Sequence, residues 1–336
     1  MPPQSAVHEA GLGSRRLRDL GLTIAGTPLE AVIREFQQEL DGRGVVQVRP
    51  HFYLSTEWGV PFGTVSIAVP FYLARVDLTD LHAARGGLVE GGSRADVLRY
   101  LRHEMGHVVN YAYRLYDRPD WTARFGDINH PYEEEYRPRP FDPRYVVHLP
   151  GWYAQKHPDE DWAETFAVWL TPGFDWRGRY AGRAALAKLE FCDRLMAELR
   201  GREPSVTAVE PDEDVGELDL TLDEFYRAYA LDRADAPADL DGALQTIFDD
   251  PDGADAAARL PAAALIRRLA PAVAADVYRW TGWFPERVRH LLDDLAQRAE
   301  KRGITYPESR EEAAAVALTA FVTALAMSRI QGGPPV

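Results

Sequence analysis

Residues 93–115 read Ser-Arg-Ala-Asp-Val-Leu-Arg-Tyr-Leu-Arg-His-Glu-Met-Gly-His-Val-Val-Asn-Tyr-Ala-Tyr-Arg-Leu, with His103, Glu104 and His107 in an H-E-x-x-H spacing. Leu98, Leu101, Met105, Val108, Ala112 and Leu115 step by three and four, which makes one apolar stripe on a single helix. At about 100° per residue the two histidines lie opposite that stripe, one turn apart on one face, where two imidazole nitrogens can converge on one metal ion. Glu104 lies on the flank of that face. It can reach water at the metal without ligating, the place a general base needs. Tyr100, Asn110 and Tyr111 share the histidine side. Ser93, with Asp96 three residues on, caps the start after the glycine pairs Gly86-Gly87 and Gly91-Gly92.

Composition bounds the rest. A chain of 336 residues, 46% hydrophobic and 27% charged, has room for two modest domains of an ordinary globular kind. A net charge of −14 argues against nucleic-acid or anionic-membrane partners and favours a basic or uncharged substrate. Cys192 is the only cysteine, so neither an intrachain disulfide nor a cysteine-rich metal site can form. Residues 1–22 mix charges with small residues rather than forming an apolar leader, and no later run is read as a membrane span, so a cytoplasmic location is expected.

Working outward, residues 1–14 read as a tail. Thr27-Pro28 opens a helix that Asp41-Gly42 closes, and strand-like alternation follows at 46–54 and 65–73. Pro70 places the second run at a sheet edge, where an extended peptide could add by backbone pairing. The proline-rich stretch 117–151 reads as a long loop. A helix is expected from Pro158 to Leu170, with Trp162, Phe166, Trp169 and Leu170 on one face and Glu160 and Glu164 on the other, and another from Arg183 to Leu199.

The acidic stretch 201–217 reads as a linker. Beyond it, helices are expected near 221–231, 239–249, 260–281, 284–302 and 308–330, anchored by Trp280, Trp283 and Phe284. No catalytic motif stands there, which suits a helical interaction module for a protein partner. The domains are therefore 15–200 and 218–330, and the fold class is α+β with a mainly helical C-terminal domain.

A catalytic zinc takes three protein ligands. A third histidine in the same motif is excluded, because that pattern requires glycine and histidine where Asn110 and Tyr113 stand. A carboxylate on the second helix remains: Glu164 is preferred, and Glu160, one turn away on the same face, is its rival. Asp127, His130, Glu133, Glu134, Glu135 and His148 are weaker candidates in the loop. Glu160 or Asp161 could instead orient a metal-bound histidine.

Leu101–His107 together with His157–Ala167 resembles the bacterial zinc-binding metallopeptidases of the gluzincin kind, and the A-E-x-F-A core at 163–167 is similar to that of lethal-factor-like gluzincins. The resemblance covers roughly residues 95–195. It implies a zincin-like domain, zinc on His103, His107 and Glu164, Glu104 as base, and hydrolysis of a peptide or protein substrate. Those relatives carry a tyrosine seven residues before the ligand glutamate to stabilise the oxyanion. His157 stands there in this chain and Tyr153 is the nearest tyrosine, so either could serve.

Overall fold

The computed structural model describes residues 11–85, 88–132, 136–229, 240–248 and 259–330. Residues 1–10 of the expected tail, Gly86-Gly87 and the candidates Glu133, Glu134 and Glu135 lie outside them. The fold is α+β with a small sheet and a helical C-terminal region. The chain divides into two compact units, one of residues 1–85 and 89–229, the other of 86–88 and 230–336.

In the first unit, α1 (Pro28–Arg43) runs two residues past Asp41 and ends on Gly44, whose φ of 77° is the left-handed stop that glycine adopts without strain. The strands β1 (His51–Ser55) and β2 (Ser66–Pro70) pair in parallel, with Phe52 opposite Ile67 and Leu54 opposite Val69. All of β2 is buried, and at Ala68 it meets Gly59 of the connecting loop, whose carbonyl accepts the Ala68 N–H at 2.8 Å. The edge expected to receive a peptide is thus met at that point by the chain itself. After Pro70 the strand-like run becomes a 3-10 turn, Phe71–Ala74, and then a helix the alternation did not predict, α2 (Val76–Ala84).

The metal-motif helix, α3 (Arg94–Ala112), starts as expected. The Asp96 N–H donates to the Ser93 hydroxyl, and that hydroxyl donates to the Asp96 carboxylate. Its apolar stripe is buried, but so is the histidine side, because a second helix covers it. That helix is α5 (Pro158–Leu170), with the predicted bounds. Between them the expected loop carries a short helix, α4 (Pro119–Phe125), which buries Trp121.

Helix α6 (Ala185–Leu199) packs on α5, and Lys188 Nζ reaches Asp161 Oδ2 at 2.5 Å. The expected linker is structured. The Val65 N–H donates to the Ala208 carbonyl and the Val215 N–H to Leu54, so the segment lies along β1 and β2. Val215 and then Leu222, Phe225 and Tyr226 of α7 (Leu222–Tyr229) join the first core, so this unit extends to 229 rather than 200.

The second unit packs α8 (Leu240–Phe248), α9 (Ala262–Thr281), α10 (Pro285–Lys301) and α11 (Glu311–Ile330) around Ile266, Val277, Leu292, Leu318 and Val322. A short antiparallel pair, β3 (Arg259–Pro261) with β4 (Thr305–Pro307), joins the starts of α9 and α11. Trp283 packs on this core, whereas Trp280 is half exposed. Glu308–Ile330 is long and apolar enough to cross a membrane by length and composition, contrary to expectation; its Ala314, Leu318, Val322, Leu325 and Ala326 face is buried in this unit.

Candidate metal centre

Where α3 crosses α5, Gly106 meets Ala163. A Cβ on Gly106 would lie 2.6 Å from the Ala163 Cα, so only glycine allows this approach. The Trp162 indole N–H donates to the Gly106 carbonyl at 2.8 Å and locks the crossing. This contact brings the acidic face of α5 onto the histidine face of α3.

Three donor atoms converge there. His103 Nε2 lies 3.0 Å from Glu160 Oε2, His107 Nε2 lies 3.3 Å from the same oxygen, and the two Nε2 atoms are 3.3 Å apart. Donors at about 2.0–2.1 Å from one tetrahedral centre stand roughly 3.3 Å from each other. The spacing therefore suits a zinc-sized ion, and His103, His107 and Glu160 form a buried group able to hold one.

The remaining polar atoms orient these three. Glu164 Oε1 accepts from His103 Nδ1 at 2.9 Å, while its carboxylate also accepts the backbone N–H groups of His148 at 2.8 Å and Leu149 at 3.0 Å. With Nδ1 carrying the proton, Nε2 presents its lone pair to the centre. On the other histidine, Nδ1 faces Asp159 Oδ2 at 2.9 Å, an ion-pair contact without hydrogen-bond alignment. Asp159 is held in turn by the Asn110 amide at 2.6 Å and the Tyr111 hydroxyl at 2.5 Å. The free oxygen of Glu160, Oε1, accepts from the Tyr132 hydroxyl at 2.9 Å.

The structure brings Glu160, the rival, rather than the preferred Glu164 to the two Nε2 atoms. Glu160 shares the centre with the histidines, and Glu164 is the buried carboxylate behind His103. Asp161 orients no histidine because it turns to Lys188. His157 caps α5: its Nδ1 accepts the Asp159 N–H at 3.2 Å, and its Nε2 donates to the His130 carbonyl at 2.8 Å, so neither nitrogen is left for an oxyanion. Tyr153 does lie at the centre, its ring edge-on to His103 at 5.5 Å. Among the loop candidates, His148 donates Nε2–H to the Arg99 carbonyl and Asp127 receives Asn129, so neither joins the group. Sequence reading passed over Asp159 and Tyr132. The signal for Asp159 was available, since Asn110 and Tyr111 continue the His103–His107 face and need a partner there.

Charge follows this geometry. Burial would lower the His103 pKa, but the carboxylates of Glu160 and Glu164 outweigh it and hold it up to about 9. His107 is raised well above its ordinary value, with Asp159 and Glu160 overcoming the same burial. Burial would raise Glu160, yet the two histidines hold it well below the usual carboxylate range. Glu104 is raised by its burial, partly offset by His103 and His107, and no hydrogen bond joins its carboxylate to the described residues.

No curated protein and no solved structure matches the chain. Residues 66–172, about a third of the chain and the span from β2 to the end of α5, match the model of the family described as "Putative zinc-binding metallo-peptidase".

Proposed function

We propose that the chain is a zinc-dependent metallopeptidase, with zinc held by His103, His107 and Glu160 and with Glu104 as general base. The observation that carries this reading is the convergence of one Glu160 oxygen and two Nε2 atoms at 3.0–3.3 Å, with a carboxylate behind each histidine. A bound zinc ion would supply Lewis acidity, bringing the pKa of a water down toward neutrality and polarising a substrate carbonyl.

The chain's own residues supply the rest. Glu104, next to His103 in the chain and made more basic by burial, takes a proton from the attacking water and passes it to the leaving amine. Tyr153, beside His103, is assigned to donate toward the carbonyl oxygen. Phe62, 65% exposed with its ring 4.9 Å from Tyr111, offers an apolar wall for a substrate side chain. The helical unit is proposed as a site for a protein partner, and the cytoplasm as the location.

The test pairs Glu104→Gln with the parent. The variant should keep about one zinc per chain and lose hydrolysis of a peptide library by roughly 10²–10⁴-fold. Hydrolysis at the parental rate would remove Glu104 from the mechanism. Zinc binding without cleavage of any peptide by the parent would leave a metal-binding protein and no peptidase.

A further inference from the structure

The chain carries a net charge of −14, yet beside the metal centre it gathers cations around one open cavity. This cavity, of about 390 Å³, is lined by Arg137, Arg139, Arg144, Lys156, Tyr136 and Gln155 among others. Arg144 is already paired, its guanidinium reaching Asp142 Oδ2 at 2.6 Å. The exposed guanidiniums of Arg137 and Arg139 have no ion pair among the described residues.

The wall is built rather than loose. The Arg139 N–H donates to Gln155 Oε1 at 2.8 Å while Gln155 Nε2 donates back to the Arg139 carbonyl at 2.9 Å, so the backbone under the guanidinium is clamped. Lys156 Nζ stands 4.3 Å over the Tyr132 ring and 5.2 Å over the Tyr153 ring. Those two tyrosines also reach the centre, one through Glu160 and the other against His103. Tyr136, on the cavity wall, packs edge-on to Tyr153 at 6.4 Å.

We propose that this cavity is a substrate subsite that selects a carboxylate a few residues from the scissile bond. The proposal rests on the peptidase reading above. Two planar guanidiniums with open donor forks match a carboxylate bidentately, which neutral or cationic side chains cannot do. The ring steps from His103 to Tyr153 and from Tyr153 to Tyr136 are 5.5 and 6.4 Å. An extended peptide advances about 3.3–3.6 Å per residue, so the carboxylate belongs roughly two to four residues from the bond cut. The net charge of the whole chain would favour basic peptides; at this position Arg137 and Arg139 would favour an acidic group instead.

The carboxylate can come from an acidic side chain or from a peptide's free C-terminus, and the experiment separates the two. Zinc-loaded full-length protein is given matched peptides that differ only as Glu against Gln at each position, each with a free or an amidated C-terminus. Selection of Glu over Gln in amidated peptides identifies the side chain; weaker cleavage of every amidated peptide, Glu and Gln alike, identifies the terminus. The double variant Arg137→Ala with Arg139→Ala should raise KM for the preferred peptide by roughly tenfold to a hundredfold, the range of a charge-assisted contact. It should leave kcat and cleavage of the Gln peptide unchanged, and lysine at both positions should restore part of the loss. A binding arm with fluorescent Glu and Gln peptides on the Glu104→Gln chain reads the subsite without hydrolysis. Weaker binding of the Glu peptide after both arginines are removed supports the subsite even if the parent cleaves nothing, which would overturn only the peptidase reading. Equal cleavage and equal binding of Glu and Gln peptides, free or amidated, unaffected by the double variant, would overturn the subsite.

Discussion

Glu160 and Glu164 are the same residue type on one helical face, and their surroundings divide them. Glu160 leaves one oxygen toward the two Nε2 atoms and gives the other to Tyr132. Glu164 is fully buried and engaged by His103 Nδ1 and two backbone N–H groups. Glu160→Ala should therefore abolish tight zinc binding, while Glu164→Gln should lower affinity by roughly 10–100-fold, as for a residue that orients a ligand. Competitive chelation measures both, and retention of parental affinity by Glu160→Ala would return the ligand role to Glu164. The same residues set a pH dependence. In the metal-free chain the His103 pKa is held up to about 9 and His107 is also raised, so zinc must displace their protons. Affinity should then rise with pH from 6 toward 9, with up to two protons released per zinc. Titrations in buffers of differing ionisation enthalpy would show this; a flat affinity over that range would contradict it.

At the scale of elements, the centre exists because α3 and α5 touch at Gly106 and Ala163. In an exposed helix, Gly→Ala would stabilise by about 1 kcal/mol through propensity. Here the added Cβ meets a backbone atom at 2.6 Å, which a side-chain shift cannot relieve. Overpacking of that kind costs about 1–3 kcal/mol, so it wins. Gly106→Ala should lower the melting temperature and weaken zinc binding together, since separating the helices draws Glu160 away from both histidines. A higher melting temperature with unchanged zinc affinity would show that the crossing does not set the site.

At the scale of the whole molecule, the acidic composition of 201–217 marked a linker, and a chain ending near Gly201 would then have kept its zinc. The structure moves that boundary. Val215, Leu222, Phe225 and Tyr226 are buried in the first core, and the segment bonds to residues next to and within the strands. A chain ending at Tyr229 should fold, melt cooperatively and hold zinc, whereas one ending at Gly201 should lose these apolar contacts and become unstable or insoluble. Comparing the two by calorimetry and metal content decides it, and equal stability would restore the earlier boundary.

Periodicity alone determined the metal helix, its Ser93 cap, the opposing helix from Pro158 to Leu170 and the helical C-terminal region, because apolar spacing and capping are local properties of the chain. It also placed His103 and His107 on one face, since a four-residue step is one turn wherever the helix lies. The choice between Glu160 and Glu164 was not local. Both satisfy the same helical phase, and only the depth and offset of the crossing at Gly106 bring one to the Nε2 atoms and the other to Nδ1. Tyr132 and the capping of α5 by His157 depend on how the 117–151 segment folds back, which no period encodes. The docking of 201–229 likewise escaped composition, because its few apolar residues are spaced for a surface that other parts of the chain build.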